Sequence, residues 1–169
     1  MRISNEYREA NKRLHETNPR YGSSSAKWAP KVLELLRSTQ SKTVLDYGCG
    51  KGNLRAALPE LEIREYDPAV PGKDAEPKPA DLVMCTDVLE HIEPDCLNDV
   101  LAHIRSLTLG FAFVNIATRP AIKTLPDGRN THLIIQSEAW WRARIEAFFQ
   151  VADWRPDRDW AVSALLQPR

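Results

Sequence analysis

The sequence predicts one α/β domain built on a mostly parallel sheet with one antiparallel edge. Short apolar runs alternate with segments of helical periodicity along the 169 residues, and the last two apolar runs are separated only by RPDRD. The alternation is typical of parallel strands joined by crossover helices, whereas the short final separation favours an antiparallel hairpin. The length suits a single domain with one core.

Each element follows from a local pattern. Helical spacing is clearest where Leu97, Val100, Leu101 and Ile104 fall on one face, and Ser137 is a suitable N-cap for the last helix. The predicted helices cover residues 5–18, 26–36, 53–58, 93–108 and 137–149. The predicted strands are KTVLDY (42–47), EIREYD (62–67), DLVMC (81–85), FAFVNIA (111–117), QVADW (150–154) and WAVSALL (160–166).

Composition narrows the class of protein. The three cysteines form no C-x-x-C pair, so neither a disulfide framework nor a zinc knuckle is expected. No apolar run approaches the roughly 20 residues of a membrane span, and the polar N-terminus lacks the apolar stretch of a secretory signal. We therefore expect a cytoplasmic protein with no membrane partner.

Charge is uneven although the formal net charge is zero. Residues 1–37 carry eight Lys/Arg against four Asp/Glu, and residues 59–99 carry three against twelve. The basic N-terminal segment is either an arm that contacts phosphates or a solvated helical face. We divide the chain into an N-terminal helical arm or lid (1–40) and a main domain (41–169).

The segment VLDYGCGKGNL (44–54) predicts a ligand-binding loop at the end of the first strand. Its glycines allow the backbone to approach a ligand at the carboxyl edge of the sheet. The spacing matches neither the phosphate loop G-x-x-x-x-G-K-[ST] nor the dinucleotide pattern G-x-G-x-x-G. Asp46 would repel a pyrophosphate but suits a ligand with a cationic amino end, and Asp67 is placed to bind a ribose diol. S-adenosylmethionine, which has an ammonium group and no phosphate, meets both conditions.

The same stretch resembles motif I of the class I S-adenosylmethionine-dependent methyltransferases. ADLVMCTDVLEHI (80–92) resembles a later strand-and-loop motif of that superfamily. The resemblance extends over roughly residues 40–165. It implies a Rossmann-like fold with helices on both faces of the sheet, S-adenosylmethionine as cofactor, and methyl transfer as the activity.

The resemblance also implies roles for individual residues. The methionine end of the cofactor would meet Asp46, Gly48 and Gly50, its ribose would meet Asp67, and its adenine would meet Asp74 and Ala75, with Asp87 and Val88 alongside. Asp74 follows Asp67 by only seven positions, where the family normally has a helix and a strand between the two. We therefore expect one sheet position, between Asp67 and Asp81, to be reduced to a loop.

Candidate general bases are Asp87, His91 and His132, because an acceptor that must lose its proton needs a base near neutral pH. Asp87, Glu90 and His91 do not have the spacing of a two-histidine, one-carboxylate metal site, so no metal is predicted. Candidate substrate residues are Tyr21 and the loop arginines Arg119 and Arg129, which suit an anionic acceptor.

These observations predict transfer to a small or medium polar or anionic metabolite or glycan. A second interpretation is an RNA methyltransferase guided by the basic arm. The chain lacks both the [D/N/S]-P-P-[Y/F/W] motif and a Pro-Cys nucleophile, which argues against methylation of adenine or cytosine by those routes. A third interpretation is a protein that binds S-adenosylmethionine without transferring the methyl group.

Overall fold

A computed structural model describes residues 1–125, 127–158 and 160–169. Its centre is a six-stranded sheet in the order β2-β1-β3-β4-β6-β5. The first four strands in this order pair in parallel, and β6 pairs antiparallel with both β4 and β5. The strands are β1 (Val44–Tyr47), β2 (Ile63–Tyr66), β3 (Ala80–Thr86), β4 (Thr108–Ala117), β5 (Phe149–Asp157) and β6 (Ala161–Pro168). The predicted mostly parallel sheet with a terminal antiparallel hairpin is confirmed.

Helices cover both faces of this sheet, as predicted. On one face, Val32 and Leu54 join a core cluster with residues of β1, β2 and β3. On the other face, Leu101 and the fully buried Trp141 pack in the larger cluster. The helices are α1 (Asn5–Thr17), α2 (Ala29–Thr39), α3 (Asn53–Ala57), α4 (Leu97–Leu107) and α5 (Glu138–Glu146), with 3-10 turns at Ser24–Trp28, Leu89–His91 and Pro94–Cys96. Ser137 caps α5 by accepting a hydrogen bond from the Trp140 amide, as expected.

The reduced sheet position is also confirmed. The chain leaves β2 at Tyr66 and returns at Ala80 as β3, next to β1, and residues 67–79 form only turns and bends. This segment contains four prolines, which do not donate to a sheet ladder and restrict the helical conformation of the preceding residue. β2 therefore lies at the edge of the sheet.

The N-terminal segment folds back over the carboxyl ends of the parallel strands. Ser4 donates from its amide and its hydroxyl to the two carboxylate oxygens of Glu93, at 2.8 and 2.7 Å. The Tyr7 hydroxyl donates to the His91 carbonyl at 2.6 Å, and Lys51 donates to the His15 carbonyl at 2.8 Å. These contacts place α1 as a cover. The next helix, α2, supplies residues to the core. The predicted division into an N-terminal arm (1–40) and a main domain (41–169) stays a prediction.

None of the helices in the described part of the chain combines the length and apolar character needed to cross a bilayer.

Candidate active site

A cavity of about 1150 Å³ opens at the carboxyl ends of the parallel strands. Its floor is formed by residues that follow β1, β2, β3 and β4, and α1 with the segment 20–24 forms its cover. Ligand pockets in proteins commonly measure about 300–1,000 Å³. This cavity is therefore large enough for a cofactor and a second small molecule.

The glycine loop lines this cavity and is packed tightly on two sides. Gly48 and Gly50 have φ values of 77° and 52°, which L side chains rarely adopt. A Cβ on Gly48 would lie 2.4 Å from Cγ2 of Val88, and a Cβ on Gly50 would lie 2.6 Å from the carbonyl oxygen of Gly22. The glycines are thus required both by backbone conformation and by the close approach of Val88 and the N-terminal segment.

Asp67 lies directly after β2, is only 8% exposed, and faces the cavity. Its Oδ2 accepts a hydrogen bond from the Gly50 amide at 3.0 Å, and its Oδ1 accepts one from the Ala69 amide at 2.9 Å. These two bonds fix the carboxylate against the glycine loop. Each oxygen retains acceptor capacity for a ligand hydroxyl, which is what a ribose diol requires.

Asp46 is buried behind the glycine loop, and it is not among the described residues that line the cavity. Its Oδ2 has no hydrogen-bond partner in the part of the chain that the structure describes. Burial raises the pKa of Asp46 to about 7, with a further increase from the charge of Glu65 and an opposing effect of Lys73. Because Asp46 does not line the cavity, an unpartnered buried acceptor of this kind fits a ligand amino group that reaches it through water.

Asp74 and Ala75 are exposed, and neither is among the described residues that line the cavity. The Asp67 amide donates to the Lys73 carbonyl at 2.9 Å, so the chain turns back immediately after β2 and carries Asp74 away. Asp74 instead accepts a hydrogen bond from the Gly72 amide at 3.2 Å. The structure therefore does not bring the two residues predicted for the adenine to the site, where Pro68 and Ala69 line the cavity beside Asp67.

Asp87 and Val88 line the cavity where β3 ends. Asp87 has a left-handed φ of 56°, and its Oδ2 accepts hydrogen bonds from Lys27 Nζ at 2.7 Å and from the Ser24 hydroxyl at 3.1 Å. This carboxylate ties the N-terminal segment to the floor of the cavity. Because Lys27 and Ser24 occupy its Oδ2, Asp87 is a weaker candidate for a general base than the sequence suggests.

His91 and His132 meet at the cavity wall although 40 residues separate them. Their rings lie edge to face with centroids 4.8 Å apart. His91 Nδ1 lies 2.7 Å from the Thr131 carbonyl, and His132 Nδ1 lies 2.6 Å from the Arg119 carbonyl. Burial, followed by the effect of His132, lowers the pKa of His91 to about 4, so this ring is neutral at pH 7.

Glu90 lies under the histidine pair and is 1% exposed. Its Oε1 accepts a hydrogen bond from the Ala117 amide at 3.0 Å, while Oε2 has no partner among residues 1–125, 127–158 and 160–169. Burial raises the pKa of Glu90 to about 8. The sequence grouped Glu90 with Asp87 and His91, whereas the structure groups it with His91 and His132.

Two of the three predicted substrate residues lie at the cavity. Tyr21 lines it and donates to Asn11 Oδ1 at 2.6 Å, and burial raises the pKa of its hydroxyl. Arg119 lines it with its guanidinium 3.5 Å above the Trp160 ring centre.

Arg129 is not among the described lining residues, because it pairs with Asp127 at 2.6 Å within its own turn. The sequence predicted an arm or lid but did not single out most of the residues by which it lines the cavity, because no local pattern marks them. These are Tyr7, Asn11, His15, Arg20 and Lys27.

Comparison with known proteins agrees with this geometry. The sequence model of the methyltransferase-domain family matches residues 20–146. A search of curated protein sequences finds no significant match. Similarity to solved structures is instead extensive in fold and low in sequence.

Three solved structures illustrate that likeness. The Burkholderia thailandensis 1,6-didemethyltoxoflavin-N1-methyltransferase is 14% identical with a TM-score of 0.72, over 96% of this chain and 89% of that chain. The N-methyltransferase NodS of Bradyrhizobium japonicum WM9 is 13% identical with a TM-score of 0.63, over 98% and 99% of the two chains. The magnesium protoporphyrin IX methyltransferase of Synechocystis PCC 6803 is 18% identical with a TM-score of 0.62, over 85% and 83%.

The family match covers most of the chain, and the fold is the one that the two sequence motifs imply. The glycine loop, the acid after β2 and the motif after β3 meet at one cavity. The chain therefore belongs to the methyltransferase-domain family, within the class I S-adenosylmethionine-dependent methyltransferases.

Proposed function

We propose that this methyltransferase transfers a methyl group from S-adenosylmethionine to a small or medium-sized anionic acceptor. The observation that carries the proposal is the continuity of the cavity. It runs from the glycine loop and Asp67 to Arg119 and His132 under a cover made by the chain itself. A covered cavity of this size favours a small acceptor over a long polymer.

The cofactor side of the cavity fits S-adenosylmethionine in its donor chemistry. Asp67 offers acceptor capacity for the ribose hydroxyls, and the unpartnered oxygen of Asp46 offers an acceptor for the amino group. Gly48 and Gly50 let the backbone lie close to the methionine end. The bound cofactor supplies a methyl group already activated by the sulfonium. The protein then has to bind, orient and exclude water.

Several cationic side chains line the cavity. Arg119 stacks on Trp160, which fixes its planar guanidinium, and Lys123 lies 5.8 Å from the Tyr21 ring centre. Arg20 also lines the cavity. Guanidinium groups bind carboxylates and phosphates in a bidentate manner, so an acceptor with an acidic group is favoured here.

The names of similar structures point the same way. One of them was crystallised with 1,6-didemethyltoxoflavin and S-adenosylhomocysteine, and another is a magnesium protoporphyrin IX methyltransferase with bound S-adenosylhomocysteine. Those proteins are named for small-molecule acceptors. The resemblance in fold supports a small acceptor for this chain too.

The N-terminal arm does not favour nucleic acid in this arrangement. Arg2 is paired with Glu76 at 2.8 Å, and Ser4 and Tyr7 donate to Glu93 and to the His91 carbonyl, two residues that line the cavity. The arm thus covers the site instead of extending from it.

Methyl transfer to fractionated cell extract tests the proposal. Purified full-length chain is incubated with methyl-labelled S-adenosylmethionine and with extract separated into small-molecule, RNA, DNA and protein fractions. We expect label in the small-molecule fraction, enriched in the part that an anion exchanger retains. Label confined to RNA, or tight S-adenosylhomocysteine binding without label in any fraction, would contradict the proposal.

A further inference from the structure

Glu90, His91 and His132 form a cluster in which one ligand atom from each residue lies within 4.8 Å of the others. Ligands bound to one ion at about 2.1 Å lie about 3–3.5 Å apart, so small side-chain movements would close this cluster around an ion. All three residues line the cavity. We propose that they bind a divalent transition-metal ion.

The two histidines are oriented as metal ligands usually are. Each Nδ1 is within hydrogen-bond distance of a backbone carbonyl, Thr131 for one ring and Arg119 for the other. A nitrogen that donates to a carbonyl carries the proton, which leaves Nε2 of each ring as the nitrogen available to a metal ion. Support of this kind from carbonyls fixes the ring and its tautomer at metal sites.

Glu90 supplies a second, independent observation. Its side chain is buried, one oxygen is held by the Ala117 amide, and Oε2 has no partner among the described residues. A buried carboxylate oxygen without a donor is unfavourable unless a cation or a proton satisfies it. The charge of Lys27 favours the ionised form of Glu90, but the Lys27 ammonium forms its salt bridge with Asp87, at 2.7 Å.

Two imidazole nitrogens and one carboxylate define the class of ion. This set suits borderline ions such as Zn²⁺, Co²⁺ and Fe²⁺, whereas Mg²⁺ and Ca²⁺ prefer oxygen ligands throughout. Three protein ligands on one wall of a cavity leave coordination positions that face the interior. Sites with open positions are typical of catalytic and not of structural metal centres.

The role of the ion rests on the proposed function. Bound beside Arg119, the ion would hold an acceptor hydroxyl or enol oxygen and lower its pKa, so that the proton leaves to solvent. The oxygen then forms a bond to the methyl carbon as the bond between that carbon and sulfur breaks, which gives the methylated acceptor and S-adenosylhomocysteine. This assignment replaces the sequence-based expectation of no metal and makes His91 and His132 ligands instead of bases.

Metal binding by the protein alone tests the site. Chain treated with EDTA and desalted is titrated with CoCl₂, followed by visible absorption, and with ZnCl₂, followed by calorimetry. We expect one Co²⁺ per chain, displaced by Zn²⁺ and not by Mg²⁺. His132→Ala and Glu90→Gln should each weaken Co²⁺ binding by roughly tenfold or more.

His103→Asn is the matched control, because His103 contacts Glu76 at 2.7 Å and forms a different histidine–carboxylate pair. This variant should bind Co²⁺ as the wild type does. Zn²⁺ should raise the melting temperature of the wild type and of His103→Asn, but not of His132→Ala. If Glu90→Gln does not fold, His132→Ala in the loop decides the question.

Absence of Co²⁺ binding, or equal binding by the wild type and His132→Ala, would overturn the site. Binding lost in His103→Asn and kept in His132→Ala would overturn it as well. The test separates this inference from the proposed function. If the chain binds Co²⁺ through His132 but labels no acceptor, the metal site stands and the proposed function is wrong. If methyl transfer resists EDTA and the chain binds no Co²⁺, the proposed function stands and the metal site is wrong.

Discussion

Each half of the cavity has a buried carboxyl group with one oxygen that is unpartnered among the described residues: Asp46 behind the glycine loop and Glu90 in the opposite half. The two groups are built differently. Asp46 belongs to β1 and lies beside a loop that immediately follows it in the sequence. Glu90 meets His132, which arrives from a loop 42 positions later. The cofactor half is thus encoded locally, and the acceptor half is assembled by the fold.

This difference has a chemical meaning. The cofactor half places Gly48, Gly50 and Asp67 at the cavity, with Asp46 buried behind them. The acceptor half combines a 3-10 turn, a long loop and the N-terminal cover, each of which can change without altering the sheet. We infer that the residues of the acceptor half determine which acceptor binds. The following predictions test the two halves separately.

The largest expected effect concerns Asp46 and pH. Its pKa rises from 3.8 to about 7 on folding, so between these values the folded state binds a proton that the unfolded state does not, and stability falls as pH increases. Asp46→Asn should remove this loss, amounting to about 4 kcal/mol above pH 7. Urea unfolding at pH 5 and pH 8 should show about 3 kcal/mol of it, because the part between pH 3.8 and pH 5 lies outside this interval. Equal pH dependence in the wild type and the variant would contradict the buried, unpartnered state of Asp46.

The glycine loop provides the next comparison. Gly50 and Gly72 both have a left-handed backbone, with φ of 52° and 85°. Of the two, only Gly50 has backbone atoms of another residue within 3.0 Å of the position that an added Cβ would take. Gly72→Ala should cost about 1 kcal/mol, and Gly50→Ala about 3 kcal/mol, because it also displaces Gly22. Thermal unfolding compares them. Equal losses would show that the N-terminal segment does not rest on the loop.

Two acids test the cofactor half directly. Asp67→Asn should weaken S-adenosylhomocysteine binding roughly 10- to 100-fold, because it replaces a charged acceptor at the cavity by an amide. Asp74→Asn should leave the affinity unchanged, because Asp74 is exposed and is not among the described residues that line the cavity. Isothermal titration calorimetry measures both. The reverse order of effects would restore Asp74 as the adenine contact.

The smallest effect concerns the loop arginines of the acceptor half. Arg119→Gln should raise the KM for an anionic acceptor several-fold and leave S-adenosylhomocysteine affinity unchanged, because one guanidinium–anion contact of about 1 kcal/mol is lost. Arg129→Gln is the control, since Arg129 is paired with Asp127 outside the cavity. Steady-state kinetics with the acceptor found in the labelling experiment checks this pair. A larger change in KM for Arg129→Gln would reverse the assignment.

The sequence predicted the sheet and the cofactor half because their signals are local. Buried parallel strands are apolar runs, and the position of Asp67 after β2 is set by the strand that precedes it. The shortened connection after Asp67 was also predictable from its length. The outward direction of Asp74 was not, because it depends on a turn closed by the Lys73 carbonyl.

The acceptor half escaped prediction for a related reason. Arg119 and Arg129 occur in the same loop and look equivalent in sequence, but a bridge between Thr124 and Asn130 closes a turn that directs Arg129 to Asp127. The meeting of Glu90 with His132 likewise depends on where this loop returns. A periodic or spacing signal carries no information about such long-range placement.

A crystal structure of the 169-residue chain with S-adenosylhomocysteine tests the central claim most directly. We predict the ribose hydroxyls at Asp67, the amino-acid end at Gly48 and Gly50, and the sulfur directed toward Glu90 and the histidine pair. Adenosine bound at Asp74 and Ala75, or a sulfur that faces away from the histidine pair, would contradict the account.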